Sequence, residues 1–313
     1  MRTVVITGAN VGIGFATARY LAADPRWHVV LACRNTSKAA AAIAAIRTAH
    51  PDAQVSFALL DLFSLASVRR FPATLAEMQV PPLGGLILNA GGLNVSLEFT
   101  EDGFEQIFQL NFLGHFLLTN LLINHLGAGA RIIFVSSDLH DPAATRMGKI
   151  MPPKFGPVEQ VGRAIGAAAK MKPMARYATA KLFAMMAAKE LDRKLRAGNK
   201  PVTVNSWSPG VVPTTQAGRG MNPIMKRIIT SPRVVKFMGS HLSTEEEAGQ
   251  ALGDFVASAK YNSVSGKYFD GYKEIPSSIE SRDERKARAV WEQASKLVGL
   301  KLEEQPKLSM AVS

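Results

Sequence analysis

The chain has one cysteine among its 313 residues, and this scarcity already limits what the protein can be. One thiol cannot form an internal disulfide, which favours a reducing compartment over a secreted, disulfide-stabilised fold. Long apolar runs are also missing, because none reaches the ~20 residues that a membrane-spanning helix needs. The first strand-like run begins at residue 3, so we expect no signal or transit peptide before the fold and a cytoplasmic location.

Acidic residues are scarce in two segments of an otherwise balanced sequence. Residues 146–181 hold eight Lys or Arg and one acid, Glu159, while residues 211–244 hold five Lys or Arg and no acid. This excess equals the net charge of the whole chain, +12. The segments could attract an anionic cofactor and an acidic substrate, lie on an anionic membrane surface, or form a solvated surface. Nucleic-acid binding is not predicted, since no recognition motif accompanies the charge.

A glycine-rich turn follows the first strand-like run. Residues 3–7 are β-branched and apolar, which predicts a buried strand, and residues 13–23 carry apolar side chains at helical spacing. Glycines between a strand and a helix let the backbone approach a pyrophosphate, whose charge the helix N-terminus stabilises. The spacing predicts a dinucleotide site, with a purely structural turn as the alternative. The residues expected at this site are Gly8, Asn10, Val11, Gly12, Ile13 and Gly14.

The residues after the second strand predict which cofactor binds. Residues 28–32 form another apolar run, which leads into Cys33, Arg34 and Asn35. In dinucleotide-binding folds an acidic residue at this point binds the free 2′-hydroxyl of the ribose, whereas an arginine accommodates a 2′-phosphate. Because Arg34 is present without a carboxylate, we predict NADP(H) rather than NAD(H), with Arg34 and Asn35 at the cofactor. The alternative is a solvated surface arginine.

Strand-like and helix-like patterns alternate along the rest of the chain. Further predicted strands cover residues 54–60, 83–88, 131–135, 202–205 and 266–269, and long helices cover residues 103–126 and 176–197. This alternation predicts an α/β, doubly wound parallel sheet of the Rossmann type, with about seven strands and helices on both faces. Ligands of such folds bind beyond the carboxyl ends of the strands, where glycine and polar residues collect in this sequence.

A tyrosine and a lysine four residues apart predict the chemistry. Tyr177 and Lys181 should share one face of a helix, because positions i and i+4 are neighbours there. A tyrosine has an ordinary pKa of about 10 and is a sluggish base at neutral pH, but a nearby ammonium should lower that pKa. Tyr177 would then donate a proton to a carbonyl in reduction and accept one from an alcohol in oxidation. The alternative is that both are ordinary surface or packing residues.

Six elements of the sequence, taken in order, resemble the pattern of the short-chain dehydrogenases/reductases. They are Thr7-Gly8-x3-Gly12-x-Gly14, Asn89-Ala90-Gly91, Asn111, Ser137, Tyr177-x3-Lys181 and Pro209-Gly210. The resemblance covers residues 3–300 and implies an oxidoreductase in which Lys181 also binds the nicotinamide ribose. It implies that Ser137 holds the substrate oxygen and that Asn111 anchors a water relay to Lys181. Ser136 is the neighbour with which Ser137 could be confused, but the family's serine falls second in such pairs.

The same resemblance implies further contacts with the cofactor. Asp61 and Leu62 should border the adenine, and residues 89–91 should border the adenosine side. The loop after Gly210 should border the nicotinamide amide and the diphosphate, although Pro213 departs mildly from the family pattern. The cofactor-binding residues expected from these segments are Asp61, Leu62, Asn89, Ala90, Gly91, Tyr177, Lys181, Pro209, Gly210, Val212 and Thr214.

Four segments narrow the resemblance to the branch that contains protochlorophyllide reductases and retinol dehydrogenases, namely residues 31–34, 111–118, 243–247 and 286–300. The light-dependent protochlorophyllide enzymes carry a cysteine two residues after the active-site lysine, and this chain has Phe183 there. We therefore predict interconversion of a carbonyl and an alcohol, with light-dependent C=C reduction of a tetrapyrrole as the alternative. A non-enzymatic protein that senses NADP(H) is a further alternative, although such sensors usually lose the tyrosine.

Two segments that contain several methionines predict the substrate. An insertion at about residues 138–176 separates Ser137 from Tyr177, and a substrate lid is expected at about residues 211–242. Methionines adapt to irregular apolar shapes, and long loops in compact domains are often functional. We therefore predict a bulky, lipophilic small-molecule substrate, with core packing or an oligomer contact as the alternatives.

No linker or repeat divides the chain, so we expect one domain over residues 1–300 and a tail over residues 301–313. Subunits of the family pair through the helices predicted here over residues 103–126 and 176–197, which favours a homodimer or tetramer. The insertion and the basic lid could instead favour a monomer. The basic lid also allows peripheral contact with a membrane, and no metal site is predicted.

Overall fold

The computed structural model describes residues 1–213, 231–238 and 240–306. Within them, eight strands form one sheet in the order β3-β2-β1-β4-β5-β6-β7-β8. Neighbouring strands run parallel, except that β7 and β8 are antiparallel. The predicted α/β, doubly wound fold is confirmed, with one strand more than expected. The strands are β1 (Arg2–Thr7), β2 (Trp27–Cys33), β3 (Val55–Leu59), β4 (Leu83–Leu88), β5 (Leu126–Val135), β6 (Val202–Ser208), β7 (Tyr268–Asp270) and β8 (Lys273–Ile275).

Helices cover both faces of the sheet. They are α1 (Gly12–Ala22), α2 (Thr36–Ala49), α3 (Leu65–Glu77), α4 (Gln106–Phe108), α5 (Gly114–Leu122), α6 (Arg146–Ile150), α7 (Val158–Gly162), α8 (Pro173–Ala197), α9 (Pro232–Met238), α10 (Glu245–Ala257) and α11 (Glu284–Leu297). On one face α1, α2 and α10 share an apolar core, and on the other α3, α5, α8 and α11 share a second. Because both faces are covered, β1, β2 and β4 are buried almost throughout, which explains their continuous apolar runs.

Capping side chains fix the starts of several helices, but α1 is different. Asn35 caps α2, Ser64 caps α3, and Thr244 forms a capping box with Glu247 at the start of α10. The residue before α1, Val11, makes no side-chain cap. The first N–H groups of α1 are therefore left for another partner.

The long helix predicted over residues 103–126 is interrupted. α4 passes into a π-helical turn over Gln109–Leu113, continues as α5, and ends in a 3₁₀ turn at Ile123–His125. Such π-turns are rare and concentrate at functional sites, and this one contains Asn111. No membrane-spanning helix is predicted from the sequence, yet Gln106–His125 is long and apolar enough to cross a membrane by length and composition. Since 83% of it is buried inside the fold, core packing accounts for its composition.

The edges of the sheet differ from the sequence prediction. β8 is absent from that prediction because Lys273–Ile275 is short, exposed and partly charged, so it carries no apolar alternation. β5 begins at Leu126 rather than at residue 131, since two glycines mask its first half.

The insertion between Ser137 and Tyr177 forms a 3₁₀ turn at Asp138–His140, then α6, α7 and a 3₁₀ turn at Gly166–Lys170. Most of the predicted lid, Thr214 included, lies outside the described residues, and the structure describes residues 211–213, 231–238 and 240–242 of it. The predicted domain limits stay a prediction.

Candidate active site

A cavity of about 920 Å³ opens at the carboxyl ends of the parallel strands. Ligand sites of doubly wound sheets are expected there. Among the predicted residues, Ser137 lines the cavity, Gly14 and Asn111 pack behind its lining, and Thr214 lies outside the described residues. The predicted cofactor-binding residues that line it are Gly8, Asn10, Val11, Gly12, Ile13, Arg34, Asn35, Asp61, Leu62, Asn89, Ala90, Gly91, Tyr177, Lys181, Pro209, Gly210 and Val212.

The glycine turn needs glycine for two separate reasons. Gly8 and Gly12 have φ angles of +67° and +60°, in the left-handed region that favours glycine. A Cβ on Gly14 would lie 2.5 Å from Asn89 Nδ2, so only glycine lets α1 approach the loop after β4. The uncapped first turn of α1 borders the cavity at Gly12 and Ile13. Its free N–H groups and the helix dipole make this a suitable place for an anion such as a pyrophosphate.

Thr7 organises the loop that follows β4. Its Oγ1 accepts a hydrogen bond from the Ala90 N–H at 2.9 Å and lies 2.9 Å from His115 Nε2. Its carbonyl oxygen accepts one from Asn89 Nδ2 at 2.9 Å. Burial, and secondarily the charge of Lys181, lowers the pKa of His115 to about 3. His115 is therefore neutral at physiological pH and supports the loop instead of transferring a proton.

Two cations stand at the end of the cavity that follows β2. Arg34 is exposed, and its guanidinium carbon lies 4.8 Å from the centroid of the Phe63 ring. The side chain of Asn35 accepts a hydrogen bond from the Lys38 N–H at 2.8 Å, which places Lys38 in the first turn of α2. Lys38 also lines the cavity, and the sequence analysis missed it. Its position in the first turn of α2, four residues after Arg34, was the available signal.

The loop after β3 closes the adjoining side of the cavity. The carboxylate of Asp61 accepts a hydrogen bond from the Phe63 N–H at 3.0 Å. The backbone N–H of Asp61 donates a hydrogen bond to Ser67 Oγ at 3.0 Å. Leu62 is buried, and its carbonyl oxygen would lie 2.9 Å from a Cβ at Gly114. These contacts hold the loop in one conformation against α5.

Ser137, Tyr177 and Lys181 meet in the middle of the cavity. The side chain of Ser137 lies close enough to Tyr177 to influence the Tyr177 pKa. Lys181 Nζ lies 5.6 Å from the centroid of the Tyr177 ring and donates to the Val135 carbonyl oxygen at 2.8 Å. Ser136 also borders the cavity, but its buried hydroxyl has no hydrogen-bond partner among the described residues. The Ser137 hydroxyl, in contrast, accepts a hydrogen bond from the Leu139 N–H at 3.3 Å and donates one to Asp138 at 3.2 Å.

Asn111 is held behind the cavity wall, next to Lys181. Its Nδ2 donates to the carbonyl oxygens of Gly92 at 2.9 Å and Ile107 at 2.8 Å, and its Oδ1 accepts from the Gly92 N–H at 3.3 Å. A Cβ on Gly91 would lie 2.7 Å from Asn111 Oδ1 and 3.4 Å from Lys181 Nζ. Because Gly91 has no side chain, the loop after β4 fits between Asn111 and Lys181. The structure therefore places these two residues on either side of Gly91, close to each other.

The expected lowering of the Tyr177 pKa is not found. Burial raises the pKa of Tyr177 to about 12, the negative charge of Asp138 adds to this rise, and the Ser137 hydroxyl opposes it. The physical reason is that the Lys181 ammonium is directed at the Val135 carbonyl instead of the phenol oxygen. Burial also lowers the pKa of Lys181 to about 8. At neutral pH Tyr177 therefore carries its proton, and most of Lys181 is charged.

The turn after Ser137 contains two residues that sequence analysis did not single out. Asp138 lines the cavity, and His140 is fully buried behind it. His140 Nε2 accepts a hydrogen bond from the Ser278 N–H at 3.2 Å, so the hydrogen is on Nδ1, which lies 2.6 Å from the Ser137 carbonyl oxygen. Burial lowers the pKa of His140. A neutral histidine therefore braces the backbone of Ser137 against the C-terminal part of the chain.

A buried ion pair supports the start of α8. Arg176 Nε lies 3.3 Å from Glu105 Oε1, and the two side chains are 8% and 1% exposed. The Arg176 guanidinium also donates to the carbonyl oxygens of Ser96 at 2.9 Å and Met171 at 3.3 Å. Arg176, which directly precedes Tyr177, therefore connects the loop after β4 to the start of α8. Burial raises the pKa of Glu105, and the charge of Arg176 opposes that rise.

The loop after β6 brings the lid segment to the cavity. Gly210 has a φ of +69°, and a Cβ there would lie 2.6 Å from the His241 ring, so both conformation and space require glycine. The Val211 N–H donates to the His241 carbonyl oxygen at 2.8 Å. His241 Nδ1 lies 3.3 Å from Asp270, which raises the pKa of His241.

The remaining wall of the cavity is mainly apolar. It is formed by the loop after β4, the π-helical turn, the turn after β5, the start of α8, and α9. The apolar side chains there belong to Leu93, Val95, Ile107, Leu110, Leu139, Met174, Val234 and Val235. The described part of the predicted lid therefore does face the cavity.

Known proteins are similar to this chain in sequence and in architecture. A family model described as short chain dehydrogenase matches residues 2–147. Human retinol dehydrogenase 13 is 37% identical over 97% of this chain and 88% of its own length. Protochlorophyllide reductase B from Hordeum vulgare is 33% identical over 95% of this chain and 78% of its own length. A crystal structure of an uncharacterized protein from Mycobacterium Paratuberculosis superposes with a TM-score of 0.68 at 29% identity, covering 96% of this chain and 94% of that one.

Proposed function

Since this chain belongs to the short-chain dehydrogenase family, we propose that it is an NADPH-dependent oxidoreductase that interconverts a carbonyl and an alcohol on a bulky, lipophilic molecule. The observation that carries the proposal is the meeting of Ser137, Tyr177 and Lys181 between the glycine turn and an apolar wall. The turn suits a dinucleotide, and the wall suits a lipophilic substrate.

The residues divide the chemistry between them. A nicotinamide cofactor supplies or accepts the hydride when it is bound. Tyr177, protonated at neutral pH, donates its proton to the substrate oxygen, which suits the direction of carbonyl reduction. Ser137 binds the same oxygen and orients it beside Tyr177. The Lys181 charge stabilises the negative charge that develops on that oxygen before the proton arrives.

The side chains at the end of the cavity that follows β2 suit NADPH, which carries a 2′-phosphate that NADH lacks. Arg34 and Lys38 place two positive charges there, and the uncapped start of α1 lies further along the same cavity. A 2′-phosphate would interact with both cations through charge-assisted hydrogen bonds. NADH lacks this group and gains nothing from them.

Removing these two charges should abolish the preference for NADPH. The double variant Arg34→Ala/Lys38→Ala should bind NADPH about 10–100-fold more weakly and NADH with nearly unchanged affinity, measured by fluorescence titration. Arg47→Ala is the matched control, since Arg47 also lies on α2 but does not line the cavity. Equal binding of NADH and NADPH by the wild type would overturn the assignment.

The function is tested by turnover of a lipophilic aldehyde. All-trans-retinal is the first probe, because a relative at 37% identity is named a retinol dehydrogenase. We expect NADPH oxidation with retinal and much slower oxidation with a short aldehyde, which cannot fill the apolar wall. Tight NADPH binding without turnover of any lipophilic carbonyl would favour a protein that only senses the cofactor.

Light-dependent reduction of protochlorophyllide is the second candidate. It is favoured by the relatives named protochlorophyllide reductases. Phe183, which stands where those enzymes carry a cysteine, is fully buried and packs edge-on against Phe108 and Phe112. Its ring belongs to the core and does not line the cavity. An illuminated assay with protochlorophyllide and NADPH distinguishes the two functions, and we expect no conversion.

We also propose that an anionic membrane surface docks on the face formed by α6 and α9. Ile150 and Phe237 are 68% and 62% exposed, and Arg146 Cζ lies 4.1 Å from the Phe237 ring. Lys149 and Arg233 are exposed on the same two helices. Exposed apolar side chains among cations are the pattern that binds anionic lipid. Val234 and Val235 of α9 line the cavity, so a lipophilic substrate could enter from the bilayer.

Vesicle sedimentation tests this docking face. The wild type should bind phosphatidylcholine vesicles that contain phosphatidylserine, and bind weakly to phosphatidylcholine alone. Ile150→Ser/Phe237→Ser should reduce the bound fraction several-fold, since each lost side chain removes buried apolar area. Leu302→Ser is the control, because Leu302 is 83% exposed but lies outside α6 and α9. Equal loss in the control, or equal binding to neutral vesicles, would contradict the proposal.

Pairing of subunits through the long helices stays a prediction. In the single chain, α11 packs on α8, and Trp291 of α11 lies 4.9 Å from Phe116 of α5. The C-terminal helix therefore covers part of both surfaces. Sedimentation velocity would give the oligomeric state directly.

A further inference from the structure

The carboxylate of Asp138 contacts two hydroxyls that belong to different parts of the active site. Its Oδ1 accepts a hydrogen bond from Ser137 Oγ at 3.2 Å, and its Oδ2 accepts one from Ser240 Oγ at 2.8 Å. All three residues line the cavity. Asp138 therefore joins the serine that we assign to the substrate oxygen to the segment that follows α9.

Ser240 is hydrogen-bonded to α9. Its N–H donates to the Val235 carbonyl oxygen at 3.1 Å, near the C-terminal end of α9. Val235 is 2% exposed and lines the cavity together with Val234. A movement of α9 towards or away from the cavity would carry Ser240 with it, and would make or break the bond to Asp138.

The two bonds of the carboxylate differ in strength. Hydrogen bonds between oxygens are usually about 2.7–2.8 Å long, so the Ser240 bond is ordinary and the Ser137 bond is long. The Leu139 N–H donates to Ser137 Oγ at 3.3 Å, and the single hydrogen of that hydroxyl is directed at Asp138. A substrate carbonyl oxygen beside Tyr177 can replace Asp138 as the acceptor of the Ser137 hydrogen bond with a small loss of free energy, because the bond to Asp138 is long. The Ser240 bond meanwhile keeps the carboxylate in place.

We propose that Asp138 is a positioning residue that couples the seating of α9 to the orientation of the Ser137 hydroxyl. When α9 is seated, Ser240 aims the carboxylate at Ser137, which holds the hydroxyl hydrogen until the substrate oxygen replaces the carboxylate as its acceptor. When α9 lifts, Asp138 loses this support and no longer fixes Ser137. The inference rests on the proposed function, because that function assigns Ser137 to the substrate oxygen.

The charge of Asp138 gives the coupling a second readout. It raises the pKa of Tyr177 and so helps to keep the proton in place for carbonyl reduction. Asp138→Asn keeps the shape, and its amide oxygen can still accept the hydrogen bond from Ser240, but the charge is lost. The limb on which the rate of alcohol oxidation rises with pH, as Tyr177 loses its proton, should then move to lower pH. The other titratable groups around this turn are His140, Asp141, Lys181, Lys189, His241, Tyr268 and Asp270.

A double-mutant cycle tests the coupling, with all-trans-retinal and NADPH as substrates. Ser240→Ala and Asp138→Ala should each lower kcat about tenfold, since each removes a hydrogen bond to a charged group. The double variant should be no slower than Asp138→Ala, because both changes break one connection. Ser243→Ala is the matched control on the same segment and should change nothing, as Ser243 does not line the cavity. Effects that multiply in the double variant would overturn the inference.

Hydrogen–deuterium exchange separates this inference from the proposed function, because it needs no substrate. Exchange in residues 232–238 should rise equally in Ser240→Ala, Asp138→Ala and the double variant, with NADPH binding retained as proof of folding. Asp138→Asn should keep exchange near the wild-type rate. If retinal is not turned over but exchange follows this pattern, the substrate class is wrong and the coupling stands. Unchanged exchange in Ser240→Ala would overturn the coupling whatever the activity.

Discussion

Tyr177→Phe should lower kcat by about 10²–10⁴-fold while leaving NADPH affinity nearly unchanged, because it removes the proton donor and keeps the ring. The side chain of Tyr177 lines the cavity together with Ser137, and with its raised pKa it holds a proton at neutral pH. Among the described residues that line the cavity, Tyr177 is the one tyrosine. Steady-state kinetics with retinal, together with a fluorescence titration of NADPH, would measure both quantities.

Tyr272→Phe is the matched control for this substitution. Tyr272 is half-exposed and donates a hydrogen bond to Asp254 at 2.7 Å, away from the cavity lining. Its hydroxyl should therefore be dispensable for turnover. Retained turnover in Tyr177→Phe would contradict the mechanism. Loss of both turnover and NADPH binding would instead indicate that the substitution damages the fold.

Arg176→Met should destabilise the fold by about 3–5 kcal/mol, measured by urea unfolding. The substitution would leave the Glu105 carboxylate, 1% exposed, without its partner in the apolar interior. It would also remove the hydrogen bonds to the carbonyl oxygens of Ser96 and Met171. As a control, Arg19→Met breaks an exposed ion pair with Glu246, whose side chains are 42% and 66% exposed, and should cost less than about 1 kcal/mol.

The pH dependence of this deficit identifies its cause. Burial raises the pKa of Glu105 above its unfolded value, so the ionised carboxylate increasingly opposes folding as the pH rises through the folded-state pKa. Without Arg176 that pKa rises further, and the deficit of the variant should be larger at about pH 8 than at about pH 5. Adding Glu105→Gln should recover part of the lost stability. A deficit that does not change with pH would show that the Glu105 charge is not responsible.

The core of the fold could be predicted from the sequence because parallel strands covered on both faces must be apolar throughout. The apolar runs that form β1, β2 and β4 are therefore easy to recognise in the sequence. The helices between them are predicted by the helical spacing of their apolar residues. The parts that escaped prediction lack this signal. β8 is an exposed edge strand, and the π-helical turn looks like any other part of an apolar helix.

Motif residues of the site could be predicted, whereas their supporting residues could not. The glycines after β1 and the pair Tyr177 and Lys181 carry backbone or chemical demands that sequence spacing reveals. Asp138 and Arg176 act through partners distant in sequence, Ser240 and Glu105, so their roles appear only after folding. The expected lowering of the Tyr177 pKa was wrong for a related reason, since spacing gives the distance of an ammonium but not the atom that it is directed at.

The π-helical turn at Gln109–Leu113 has a consequence for the phase of its helix. A turn of this kind accommodates one additional residue, which rotates everything that follows by about 100° relative to an uninterrupted α-helix. α4 and α5 therefore act as two half-helices out of register with each other. One half directs Ile107 to the cavity, and the other directs Phe116 to the core against Trp291. A transplant of this segment into another scaffold must carry the additional residue, or one of the two faces will turn away from its partner.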